Sequence, residues 1–218
     1  MSGVERELPL FPLEQVVLFP GMLLPLRIFE ERYKVMIAAC QVTDQLFGVT
    51  LIRSGREVGP AAVPERVGCT ARMVRIDRLP DGQMHILTVG ENRFRLRGAP
   101  RLAPEGYLLG DVQIATDETL ATDLPGNLTG QVAEEFEKYR ASALKLAGRS
   151  QAESDTFQVE SDPVRLSYQV AASLQVHPRE RQHLLALDDP VARLQRELVM
   201  LRRENRPPPP TIGPFSVN

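Results

Sequence analysis

The sequence predicts an α+β protein in which a strand-rich first half precedes a helical second half. Short apolar runs punctuated by proline and glycine fill the chain up to Ala115. Within them, Val74 and Ile76 alternate with Arg75 and Asp77, the two-residue period of a half-buried strand. From Leu128 onward the apolar positions recur instead at intervals of three and four, the helical period.

Taken in order, Leu8 to Leu13, Gln15 to Phe19 and Leu23 to Phe29 read as short strands, with Pro9, Pro12 and Pro20 confined to edges or strand ends because proline cannot donate to a ladder. Glu30 to Gln41 changes period through Tyr33, Ile37 and Cys40, and the acids Glu30 and Glu31 suit a helix N-terminus. Strand signals resume at Leu46 to Arg53 and at Val67 to Leu79. Pro80-Asp81-Gly82 then supplies turn chemistry before Gln83 to Val89, the clearest hairpin in the chain. Arg93 to Arg97 and Tyr107 to Ala115 complete about seven or eight strands around one helix, a spacing that favours a barrel or sandwich over a parallel sheet.

In the second half, Leu128, Val132, Phe136, Tyr139, Ala143 and Leu146 lay one apolar stripe along a helix. Asp162-Pro163 and Asp189-Pro190 each place a capping acid before a proline suited to the first helical position, so each opens a helix, and a shorter helix follows Pro178. Pro207 to Pro210 imposes extended polyproline geometry on the start of a polar tail. The predicted organisation is a β-rich subdomain over residues 1–118, a helical subdomain over 119–206 and a proline-rich flexible tail over 207–218.

With 218 residues, 43% of them hydrophobic, the chain is long enough to bury roughly 70% of its unfolded surface without cross-links. It has no signal-peptide pattern and no apolar window long enough for a membrane span, which predicts a cytoplasmic protein without membrane contact. Cys40 and Cys69 form no Cys-x-x-Cys pair; they read as buried thiols rather than zinc ligands or a disulfide. The net charge of −2 is unevenly spread. Arg53 to Arg101 holds ten basic and five acidic residues, whereas Leu102 to Asp162 holds four and twelve, so the two stretches could face each other.

The run Leu8-Pro9-Leu10-Phe11-Pro12-Leu13, then Val16-Val17-Leu18-Phe19-Pro20-Gly21-Met22 and Pro25-Leu26-Arg27-Ile28-Phe29-Glu30-Glu31-Arg32-Tyr33, resembles the opening of the substrate-binding domain of Lon proteases. Gly48-Val49, Gly68-Cys69-Thr70-Ala71 and Gly90-Glu91-Asn92-Arg93-Phe94-Arg95 extend the likeness, which runs to about Glu204. The resemblance implies a PUA-like β pseudo-barrel followed by a helical bundle. It also implies recognition of unfolded or flexible polypeptide segments, in the service of a separate protease or chaperone. Lon itself continues into ATPase and Ser-Lys protease modules; with twelve residues left after Arg206, a free-standing, non-catalytic member is expected.

The residue types and spacings agree with a non-catalytic chain. There is no Gly-x-x-x-x-Gly-Lys-Ser/Thr phosphate loop and no Gly-x-Ser-x-Gly elbow. Ser142 and Lys145 are ordinary helical neighbours, and His85, His177 and His183 lack the i, i+4 spacing that points two ligands at one metal. No catalytic residue, metal or cofactor is therefore expected. PUA-like barrels also suggest RNA, but an acidic chain without tryptophan and with 6% aromatic residues offers few stacking platforms, so nucleic acid is the weaker reading.

Two features remain as candidate peptide-binding elements. Phe19, Pro20, Gly21, Met22 and Leu23 put apolar side chains beside a turn, where they either present a patch to an unfolded segment or seal one end of the barrel. Arg93, Arg95 and Arg97 alternate with Phe94 and Leu96, so one strand face presents three guanidinium groups. These either grip acidic peptide or phosphate, or form an exposed face neutralised by acids such as Asp111.

Overall fold

The computed structural model describes residues 4–57, 62–115, 124–148 and 157–206. The boundary expected at 118/119 and the tail expected at 207–218 lie outside the described residues.

Eight strands make one sheet: β1 (Glu5–Leu13), β2 (Leu23–Ile28), β3 (Leu46–Ser54), β4 (Val63–Pro64), β5 (Val67–Arg78), β6 (Met84–Leu96), β7 (Arg101–Leu102) and β8 (Leu108–Ile114). Seven of them follow the order β2-β6-β5-β3-β1-β8-β7, β4 pairs with β3 off this path, and an additional β6–β8 pairing closes β6, β5, β3, β1 and β8 into a ring. This is the expected pseudo-barrel, with β2 left outside the ring as a flap on β6. One pair, β1 with β3, is parallel, and the helix α1 (Glu31–Gln41) lies on the connection between them.

Two strand expectations are corrected. Gln15 to Phe19 is not a strand. Its consecutive residues Val17, Leu18 and Phe19 are all buried; Val17 and Phe19 pack among the helices, while Leu18 packs inside the barrel. A segment threaded between two cores is held by side chains on both faces rather than by a ladder. Conversely, Gln83 to Val89 and Arg93 to Arg97 belong to one strand, β6, whose register against β5 shifts between Cys69 and Ala71. The Gly90-Glu91-Asn92 stretch that reads as a break is a bulge, where Glu91 and Asn92 on β6 stand opposite the single residue Thr70 on β5.

Helix α2 (Leu128–Leu146) follows a 3-10 turn at Pro125–Asn127, and α3 (Pro163–Ser173), α4 (Pro178–Ala186) and α5 (Pro190–Glu204) complete the bundle. The Asp162 carboxylate accepts from Arg165 N at 2.8 Å and that of Asp189 from Val191 N at 2.9 Å, so both Asp-Pro signals are genuine N-caps. Leu128, Val132 and Phe136 of the α2 stripe are buried, but Leu146 is 91% exposed: the stripe runs past the surface that covers it. The helical core includes Val17, Phe19, Leu51 and Val67 from the strand half, so helices and barrel share one interface rather than standing apart.

Four arginines of the basic stretch pair with acids outside the acidic one. Arg93 and Arg95 pair with Asp188, Arg97 with Glu5 and Arg101 with Glu7, acids that precede or follow the 102–162 segment.

Candidate functional site

The loop from Phe19 to Leu23 is stitched to the β6 bulge. Gly21 N donates to Gly90 O at 2.8 Å and Gly90 N to Met22 O at 2.9 Å, while Met22 N turns back to Phe19 O at 3.0 Å. Gly21 has φ +79, the left-handed conformation that glycine adopts at little cost. A Cβ at Gly90 would stand 2.2 Å from Phe19 O, so only glycine permits this approach.

The loop splits into two roles. Phe19 is fully buried, which corrects its reading as an exposed contact: its ring lies beneath the Arg181 guanidinium, 5.5 Å from the centroid. Arg181 Nη2 also donates to Val17 O (3.2 Å) and Ala172 O (3.3 Å) and lies 3.7 Å from Met22 Sδ, so one half-buried cation ties loop, α3 and α4 together. Pro20, Gly21 and Met22 form a wall of a cleft of about 530 Å³. The facing wall is α3, with Arg165, Tyr168, Gln169, Ala172 and Ser173; Glu91 of β6 and the residues Phe157 and Glu160 complete the lining. Leu23, at the start of β2, is 59% exposed.

The arginine row does not stand open. Arg93 is 2% exposed because the α4–α5 turn covers it; its Nη1 donates to Leu185 O (3.0 Å), Leu187 O (3.0 Å) and Asp188 Oδ1 (3.2 Å). Arg95 holds both oxygens of Asp188 from the outside, and Arg97 reaches Gln113 and Glu5 at 3.2 and 3.6 Å. Asp111 contributes its backbone carbonyl, accepting from Arg97 N at 2.9 Å, rather than the neutralising carboxylate expected of it. Two of the three guanidinium groups therefore clamp helices to barrel.

Sequence reasoning missed the α3 wall. Its signal was present: Arg165, Tyr168, Gln169 and Ala172 follow the i, i+3, i+4, i+7 spacing of a second helix face beside the core residues Leu166, Val170 and Leu174.

Residues considered for chemistry are dispersed. His85, His177 and His183 are exposed, and His177 Nδ1 caps α4 by accepting from Arg179 N at 3.2 Å. Ser142 and Lys145 are exposed on α2. Burial and the neighbouring Asp44 push the Cys40 thiol up to about 12, far from a reactive thiolate. Among the described residues no group of three His, Cys, Asp or Glu side chains is placed to hold a metal, and no helix is long and apolar enough to cross a membrane.

The family model of the ATP-dependent protease La (LON) substrate-binding domain matches residues 7–203. The chain belongs to that family. It is 30% identical over 203 residues to the Lon protease of Roseiflexus castenholzii, and 28% identical over 212 residues to Lon protease 2 of Myxococcus xanthus. These alignments take in 92% and 93% of the chain but 24% of each relative, so the chain spans about a quarter of their length. A Lon N-terminal domain protein from Xanthomonas campestris superposes with a TM-score of 0.65 at 30% identity, over 89% of this chain and 98% of that one. The N-terminal domain of Mycobacterium avium complex Lon protease gives 0.67 at 17% identity, over 92% and 98%, a likeness of fold. In this Lon substrate-binding fold the cleft lies where barrel and helices meet, beside the Phe19-Pro20-Gly21-Met22 stretch that carried the resemblance.

Proposed function

We propose that the chain is a non-catalytic polypeptide-recognition module of the cytoplasm, acting as an adaptor that presents unfolded or flexible segments to a separate protease or chaperone. The match of the Lon substrate-binding family along residues 7–203 carries this reading. The cleft between the Pro20–Met22 loop and α3 supports it. At about 530 Å³ it falls within the range of ligand sites and mixes a flexible methionine and two aromatic rings with a few polar groups. A single open cleft of this kind gives micromolar affinity, about 8 kcal/mol.

The test is fluorescence anisotropy with a labelled, chemically unfolded polypeptide, comparing the protein with the cleft variants Met22→Ser and Ala172→Arg. Saturable binding that weakens at least about tenfold, or 1.4 kcal/mol, in the variants supports the reading. Absence of binding to the unmodified protein overturns it.

A further inference from the structure

β2 pairs with β6 along Leu23–Ile28 and ends the sheet path, so its other side has no strand partner among the described residues. The bond from Gly90 N to Met22 O fixes the phase of this antiparallel pair. Residues 22, 24, 26 and 28 aim their backbone groups at β6, and Leu23, Pro25 and Arg27 therefore aim theirs away from it. Pro25 fits this phase, because the N–H it lacks falls on the open side. What remains open is a row of three carbonyls and the amides of Leu23 and Arg27.

A cleft of about 240 Å³ follows this edge. Six consecutive residues from Leu24 to Phe29 line it although their side chains alternate between the two faces of β2, which places the cleft along the strand's edge rather than on either face. Leu13, Val16 and Tyr33 supply an apolar far wall, and Phe29 stays 51% exposed.

Acidic side chains stand at one end of the cleft. Glu57 lines it and is laced to Glu14: Glu57 Oε2 accepts from Glu14 N at 3.0 Å, and Glu14 Oε1 from Glu57 N at 2.9 Å. Among the described residues neither carboxylate has a cation as ion-pair partner, whereas Glu30 is matched by Arg32 at 2.9 Å. Arg27, also a lining residue, is engaged through its Nε with Gln83 Oε1 at 2.8 Å, and Arg32 Nη2 donates to the Glu57 backbone carbonyl at 2.9 Å, leaving the Glu57 carboxylate itself without an ion pair among the described residues.

We propose that the open edge of β2 takes an extended polypeptide segment as an added strand, its apolar side chains seated against Leu26, Phe29 and Tyr33 and a lysine or arginine set toward Glu57 and Glu14. Main-chain bonds supply affinity in such strand addition, and side-chain pockets supply preference. The inference rests on the polypeptide-recognition reading and adds to it a second surface, a binding mode and a charge preference.

The experiment uses short synthetic peptides of alternating apolar residues ending in lysine, their counterparts ending in glutamate, and lysine peptides N-methylated at alternate amides in either register. Affinities are read by anisotropy against the full chain and against E14Q/E57Q. The lysine peptide is expected to bind about fivefold tighter than the glutamate peptide, a preference lost in E14Q/E57Q. Methylation in one register is expected to abolish binding, while methylation in the other is tolerated. Equal tolerance of both registers, or a charge preference that survives E14Q/E57Q, overturns the added-strand inference while unfolded polypeptide still binds in the α3 cleft. Self-association of the chain that blocks the peptide makes a second copy the occupant and also overturns it. Failure of every peptide and of unfolded polypeptide overturns the recognition reading itself.

Discussion

Arg93 on β6 and Arg193 on α5 donate to the same carbonyl, that of Leu187, at 3.0 Å each. Both side chains are buried, and Arg193 Nε also donates to Ser167 Oγ at 2.8 Å while its guanidinium lies 4.1 Å from the centre of the Tyr168 ring. The α4–α5 turn is thus gripped from the barrel and from the bundle at once, and α3, which walls the larger cleft, is tied into the same network.

Replacing Arg93 by alanine removes the donor to Leu185 O and one donor to Leu187 O inside the protein, so Arg93→Ala should lower unfolding free energy by about 2–4 kcal/mol. Arg95→Ala, which breaks a half-exposed contact with Asp188, should cost under about 1 kcal/mol. Urea unfolding followed by circular dichroism separates the two values. Equal effects would mean that the row acts as a charged surface and not as a clamp.

Gly90 has no such latitude. A methyl group 2.2 Å from Phe19 O must push the loop away from β6, breaking the bonds that hold Gly21 and Met22 in place. Gly90→Ala should therefore cost about 3 kcal/mol or more and weaken polypeptide binding by distorting the cleft wall. The measurements are urea unfolding and anisotropy below the unfolding transition. Unchanged stability would show that the loop relaxes freely.

How far these features were legible depends on whether their signal is local. The Asp162 and Asp189 caps, the hairpin at Pro80-Asp81-Gly82 and the periods of α1 and α2 are set by neighbours in sequence, and each is read correctly from composition and spacing. The closure of the ring by β6 and β8 depends on long-range register, which no local pattern encodes. The roles of Phe19 and Arg93 were illegible for the same reason. A loop phenylalanine and a strand arginine look exposed until the helices, more than sixty residues later in sequence, are folded over them.

The α2 stripe makes that limit measurable. Phe136 is fully buried and lies 6.2 Å from the Phe157 ring, whereas Leu146 at the end of the same stripe is 91% exposed. Phe136→Ala should cost about 3–5 kcal/mol, and Leu146→Glu less than about 0.5 kcal/mol. Thermal or urea unfolding of the two variants checks this. A large loss from Leu146→Glu would mean that something covers the end of α2 in solution.

Glu197 sets the pH response. It is fully buried on α5, neither carboxylate oxygen has a hydrogen-bond partner among the described residues, and burial raises its proton affinity well above the ordinary carboxylate value despite the opposing charge of Arg193. The folded state therefore holds a proton that the unfolded chain releases above its own pKa near 4.5. Between the two pKa values the unfolded chain binds fewer protons, so stability falls as pH rises, with a slope of at most about 1.4 kcal/mol per pH unit from this one group. Below about pH 4.5 the group is protonated in both states and contributes no slope. Glu197→Gln keeps the shape without the titration. The variant should gain on the unmodified protein as pH rises above 5 in urea unfolding, and a difference between the two that stays constant from pH 5 upward would mean that Glu197 is ionised in the folded protein.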